Sequence, residues 1–246
     1  MPFAITKREE IGSRLRAGRL VADADFDVHL GHSLRHLSDR HWTPVGVAAR
    51  VARWLADCDG ISRVLDVGSG AGKFCVVGAL CGELRFTGVE QRDELVAAAR
   101  LLASRFGVDR RTEFVHGALE AIDFHAYDAL YFFNPFGENL LPWMDRVDHS
   151  VELSHGRFQR DVEQVERLID GMPLGSHMVT YNGYGGRVPD SFDLVTAKMA
   201  GSNLLRLWRK ASQSGSGGYW SELGDDTPLQ VAGKRPQLRL RRLKSR

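Results

Sequence analysis

Between residues 44 and 182 the chain switches repeatedly between two hydrophobic periods. Short, continuous apolar runs rich in β-branched residues give way to stretches in which apolar side chains recur every three or four positions. The runs "SRVLDVG" (62–68), "LRFTGVE" (84–90), "TEFVHG" (112–117), "YDALYFF" (127–133) and "SHMVTY" (176–181) read as buried strands. Between them lie helical patterns: "KFCVVGALC" (73–81), "ELVAAARLLASRFG" (94–107), and "RFQRDVEQVERLIDG" (157–171), where Phe158, Val162, Val165 and Ile169 share one face. A further helix, about 44–57, precedes the first strand. Thr43 suits its N-cap, Pro44 its first position, and Val47, Val51, Trp54 and Leu55 its buried stripe. A polar helix is predicted near 7–20. Strands alternating with helices at this pace imply crossover connections and a doubly wound sheet covered on both faces. The end of the chain differs. "NLLRLWRK" (203–210) and "GYWSEL" (218–223) read as strands joined by the short connector "ASQSGSG", an antiparallel hairpin. "PQLRLRRL" (236–243) alternates Leu and Arg as an edge strand or ordered tail would.

The first strand ends in an unusual way, with Gly68, Gly70 and Gly72 spaced two apart before a helix. Such a turn lets a ligand approach the backbone and the free N–H groups of a helix N-terminus. A phosphate-binding P-loop would need Gly at position 67 and Ser or Thr at 74, but these are Val67 and Phe74. A dinucleotide G-x-G-x-x-G counted from Gly68 would need Gly at 73, which is Lys73. What remains is D-x-G-x-G-x-G from Asp66.

With this loop, residues 63–136 resemble the cofactor half of class I S-adenosylmethionine-dependent methyltransferases. The resemblance implies an α/β, Rossmann-like, doubly wound, mostly parallel seven-stranded sheet ending in an antiparallel C-terminal hairpin. It implies S-adenosyl-L-methionine as cofactor, with Asp66, Gly68, Ser69, Gly70 and Gly72 in the loop around its methionine part. Glu90, some twenty residues on, closes the second strand, where an acidic side chain accepts from ribose hydroxyls. Gln91 follows it. Gly117, Ala118 and Leu119 stand where the family contacts adenine. Many relatives have Asp or Asn after this Gly to bond the adenine amine. With Ala118 here, that contact is lost or supplied by backbone.

The fourth strand ends in Asn134-Pro135-Phe136. These residues resemble the [N/D]-P-P-[F/Y] motif of methyltransferases acting on amino nitrogens, with Phe136 following directly in place of the second proline. The resemblance implies that Asn134 accepts a hydrogen from the target amine and that the aromatic ring packs on the acceptor. Orientation supplies much of the rate in such a reaction, because the methyl group arrives activated on a positive sulfur. The leading expectation is methyl transfer to a nitrogen on a protein, nucleic acid or small molecule. Transfer to oxygen or carbon of a small metabolite is an alternative, as is a non-catalytic module that keeps the fold. Trp42, Tyr181 and Asn182 are weaker candidates for the site. Asp148, His149, Glu152 and His155 fit no standard metal-site spacing, and no metal is expected.

Composition changes this picture little. The 246 residues are 43% hydrophobic and 26% charged, and the net charge of +2 makes the whole chain no polycation. After Asp226, however, only basic residues occur among the charged ones, from Lys234 and Arg235 through Arg239, Arg241, Arg242 and Lys244 to Arg246. Such a tail can hold an acidic or nucleic-acid partner. No apolar run has the length of a membrane span, and the N-terminal residues have no signal-type apolar stretch. Cys58, Cys75 and Cys81, with no paired spacing, point to a reduced, cytoplasmic protein. One domain is expected over 44–246, basic tail included, after a helical extension at 1–43.

Overall fold

The computed structural model describes residues 7–213 and 218–220, together with a strand at 242–243. Four short helices come first: α1 (Lys7–Arg16), α2 (Asp23–Asp27), α3 (His32–Arg35) and α4 (Ser38–His41). Then follow α5 (Val45–Ala56), β1 (Arg63–Val67), α6 (Lys73–Cys81), β2 (Arg85–Glu90), α7 (Asp93–Phe106), β3 (Thr112–His116) and β4 (Ala129–Phe132). The later elements are α8 (His155–Asp170), β5 (His177–Tyr181), β6 (Val188–Pro189), β7 (Phe192–Ala200), β8 (Asn203–Lys210), β9 (Tyr219–Trp220) and β10 (Arg242–Leu243).

Seven strands form the main sheet in the order β3-β2-β1-β4-β5-β8-β7. The first five run parallel, while β8 is antiparallel to both β5 and β7. Each strand from β1 to β5 is almost wholly buried except β3 at the edge, which explains its more polar sequence. Alternation along β1 divides the core. Val64 faces the layer of α1, α5, α6 and α7, whereas Leu65 and Val67 face α8 with Val162, Val165 and Ile169. Asp66, in phase with Val64, is thereby directed under α6.

Two sequence expectations are corrected. The hairpin of the main sheet is β7–β8, turning at Gly201-Ser202 with Ala200 opposite Asn203, and does not use the "ASQSGSG" connector. Gly201 has φ +61°, as the first central residue of a two-residue hairpin turn requires. Strand β7 escaped notice because it is an edge strand whose side chains are mostly exposed, so it carries no apolar run. Tyr219 and Trp220 instead pair with β6 and β10 in a separate three-stranded sheet. Thr43, in turn, does not cap α5. Its hydroxyl bonds the Tyr131 hydroxyl at 2.8 Å, and the Val45 N–H donates instead to Asp23 Oδ1 at 2.9 Å.

The N-terminal helices pack into the main core through Ile11, Leu15, Phe26 and Leu30. The anchor is Lys73, the first residue of α6 and only 1% exposed. Its Nζ lies 2.6 Å from Asp23 Oδ1 and 2.7 Å from Asp27 Oδ1, and donates to Ser38 Oγ at 2.8 Å.

Candidate active site

In an open α/β sheet, ligands bind beyond the carboxyl ends of the strands, where the strand order reverses. Here the order reverses between β1 and β4, and a cleft of about 1800 Å³ opens at that edge. Gly68 and Gly70 line it from the end of β1, Glu90 and Gln91 from β2, Gly117, Ala118 and Leu119 from β3, and Asn134, Pro135 and Phe136 from β4. Stretches up to about seventy residues apart in sequence thus converge on one cavity.

The glycine loop is shaped by close approach. Gly68, Gly70 and Gly72 all have φ between +54° and +76°. A Cβ on Gly70 would lie 2.4 Å from Trp42 Nε1, and one on Gly68 would lie 3.0 Å from Pro135 Cβ. The loop is therefore wedged between Trp42 and the motif at the end of β4. Gly72 lies outside the cleft, caps α6 and abuts Ala99 and Phe114. Asp66 and Ser69 also stand back from the cleft, lining a small adjoining cavity together with Trp42 and Lys73. Burial pushes the Asp66 carboxyl up to about 7, against the hydrogen bond it accepts from Cys75 Sγ at 3.5 Å.

Glu90 is 6% exposed. Its Oε2 accepts from the Gly70 N–H at 3.1 Å and its Oε1 from the Arg92 N–H at 3.0 Å. Burial raises its pKa, and these two bonds oppose the rise. A carboxylate offers about four acceptor positions, so Glu90 keeps capacity for a ligand.

Asn134 has φ +41°, and Asn182, at the end of the adjacent strand β5, has φ +59°. They are the two non-glycine residues with positive φ among the described residues, and both line the cleft. Left-handed backbone at such positions costs energy and is concentrated at functional sites. The Asn134 conformation is held by its N–H, which donates to Gly183 O at 2.8 Å, and by its carbonyl, which accepts from Gly137 N at 3.1 Å. Its side chain lies across Gly137, where a Cβ would come within 2.2 Å of Asn134 Nδ2. This contact gives the glycine after the Asn-Pro-Phe motif a physical reason. Phe136 is 7% exposed and packs into the α8-side core, with part of its surface in the cleft.

Several residues of the site carried no signal in the sequence. Arg92, 5% exposed, donates through Nε to Asp148 Oδ1 and through Nη2 to Glu138 Oε1, both at 2.9 Å. Glu138 Oε1 also accepts from Val147 N at 2.7 Å, so Arg92 holds the segment after the motif over the cleft. Asp148 is thus an ion-pair partner, and the adjacent His149 ring stacks on Trp143. Asn139 ties the motif to α8, donating to Phe136 O at 3.1 Å and accepting from Ser154 N at 3.1 Å. Arg40 and Asp145, paired at 2.8 Å, bridge the cleft from the N-terminal side.

No protein-family model and no curated protein matches the chain. Among solved structures it is similar to TrmN from Thermus thermophilus, with a TM-score of 0.50 and 17% identity. That match covers 70% of this chain and 51% of TrmN, so the chain spans about half of that protein. It is also similar to an RNA methyltransferase from Salinibacter ruber, crystallised with S-adenosyl-L-homocysteine. There the TM-score is 0.49 and the identity 19%, over 78% of this chain and 99% of the other. The strand order, the antiparallel end of the sheet and the similarity to TrmN define a class I methyltransferase fold.

Proposed function

We propose that the chain transfers a methyl group from S-adenosyl-L-methionine to an acceptor nitrogen. The observation that carries this reading is Asn134, held in left-handed backbone at the end of β4 and facing the same cleft as the glycine loop and Glu90. The residues fit such a cofactor: Glu90 retains acceptor capacity for ribose hydroxyls, and Gly68 and Gly70 present backbone without side chains. When bound, the cofactor supplies a methyl group activated on a positive sulfur. Asn134 orients the acceptor amine through its side-chain oxygen, and Trp42, Phe133 and Phe136 supply apolar wall that excludes water. No strong base is required for a neutral amine. The segment held over the cleft by Arg92 faces the acceptor side, and Asn182, directly after β5, is a polar candidate lining the same cleft.

No helix among the described residues is long and apolar enough to cross a membrane. An acidic or nucleic-acid partner for the basic tail stays part of this reading, but Lys234, Arg235, Arg239, Arg241, Lys244 and Arg246 lie outside the described residues. The test is incubation of the protein with methyl-labelled S-adenosyl-L-methionine and fractionated cell extract, followed by mass spectrometry. Label on an amine nitrogen supports the proposal. Label on oxygen or carbon alone replaces it with the small-metabolite reading.

A further inference from the structure

The cleft has an end with no polar side chain from its own strand. Beyond Glu90 it is walled by Gly117, Ala118 and Leu119 after β3 and by Phe136 after β4. Leu119 and Phe136 belong to one buried apolar cluster, so a flat aromatic ring finds apolar wall there. An exocyclic amine on such a ring is a donor and needs an acceptor, or its burial costs the full desolvation penalty. Ala118 provides none from its side chain. Helix α8 contributes His155, Arg157 and Asp161 to the lining of the cleft, the last two one helical turn apart.

The geometry points to Asp161 as the residue that reads the purine amine of the cofactor, in place of a side chain at position 118. The inference rests on the cofactor assignment proposed above and names the residue that makes it adenine-specific. Asp161 is fixed by Arg157, whose Nε lies 3.5 Å from Asp161 Oδ2, and both side chains are partly buried. Arg157 is fixed in turn, donating through Nη1 to Glu152 O at 3.0 Å. Its own N–H is held by the Ser154 cap at 3.2 Å. Burial raises the Asp161 pKa, with a further push from the charge of Glu120, the residue next to Leu119. Asp161 lines the same cleft as Gly117, Ala118 and Leu119, and its neighbour Val162 belongs to the apolar cluster of Leu119 and Phe136. A carboxylate in this position accepts from a 6-amino group and repels a 6-carbonyl, and the neighbouring guanidinium keeps it oriented.

Calorimetry with S-adenosylhomocysteine and with S-inosylhomocysteine, which carries a carbonyl in place of the amine, tests this. Wild type should bind the adenosyl compound at least about tenfold tighter than the inosyl compound. Asp161→Asn, whose amide can donate to a carbonyl, should shrink that ratio by about tenfold or more while the fold melts as wild type. Asp161→Ala, a second variant, should weaken the adenosyl compound and leave the inosyl compound bound as tightly as by wild type or more tightly. A ratio unaltered in both folded variants overturns the role of Asp161 and leaves the cofactor assignment standing. A wild type that binds neither compound at millimolar concentration overturns the cofactor assignment and this inference with it.

Discussion

The Gly70 amide donates to Glu90 Oε2 at 3.1 Å, tying the loop after β1 to the carboxylate that ends β2. Glu90→Ala therefore removes the proposed ribose acceptor and also frees the loop. Affinity for S-adenosylhomocysteine should fall at least tenfold, a loss of about 1.5–3 kcal/mol for a charge-assisted contact. Titration calorimetry on the folded variant measures it, and an undiminished affinity would remove Glu90 from the site.

Asn134 combines a strained backbone with a side chain in the cleft, and two substitutions separate these properties. Asn134→Gly relieves the strain of φ +41° and removes the amide, so the protein should be as stable as wild type or more so. Methyl transfer should nevertheless fall roughly 30- to 1000-fold, the equivalent of about 2–4 kcal/mol of lost orientation. Asn134→Asp keeps an acceptor oxygen and should be milder. Single-turnover transfer to the labelled acceptor and thermal melts are the two measurements. Wild-type rates in Asn134→Gly would make the residue structural.

Gly70→Ala should move Trp42. The new Cβ would meet the indole Nε1 at 2.4 Å, and φ +54° is strained for any side chain but glycine's. A destabilisation of about 1–3 kcal/mol and a shift in tryptophan emission are expected. Trp42→Phe added to Gly70→Ala should recover part of the lost stability, because it removes the clashing edge. Effects that simply add in the double variant would show that the two residues are not coupled.

Asp66 makes stability depend on pH. Its folded-state pKa of about 7 lies above the unfolded value of about 3.9, so folding favours the protonated form. The stability it contributes is complete below about pH 4 and is lost as pH rises to about 7, by up to roughly 1.4 kcal/mol per pH unit. Asp66→Asn is neutral throughout. In urea denaturation its stability relative to wild type should climb across that window and level off above about pH 7. A difference that stays constant from about pH 4 to 8 would sink the assignment.

Much of this architecture was legible because β1 to β5 and their helices change hydrophobic period at their own boundaries. The glycine loop, Glu90 and Asn134 are legible in the sequence as one edge of a sheet, since each stands at the end of a buried strand. Arg92 could not, because its partners Glu138 and Asp148 lie 46 and 56 residues away and meet it only when the segment after β4 folds back. Asp161 was hidden for a related reason: it sits on the polar side of an amphipathic pattern, where a sequence shows a solvated helix face. Thr43 misled because a tertiary hydroxyl partner, Tyr131, outcompeted the local cap.

Lys73 carries a consequence for how the loop beside it comes to be ordered. An ammonium with 1% exposure is tolerable only while Asp23, Asp27 and Ser38 surround it, and stripping partners from a buried charge costs about 3–5 kcal/mol. The residue directly before it is Gly72, the last glycine of the loop. Undocking of the first helices and loosening of the glycine loop are therefore one opening event, and amide protons in both should exchange with the same free energy. A protein cut before residue 44 would keep every residue of the loop yet lose the counterions that set its rigidity.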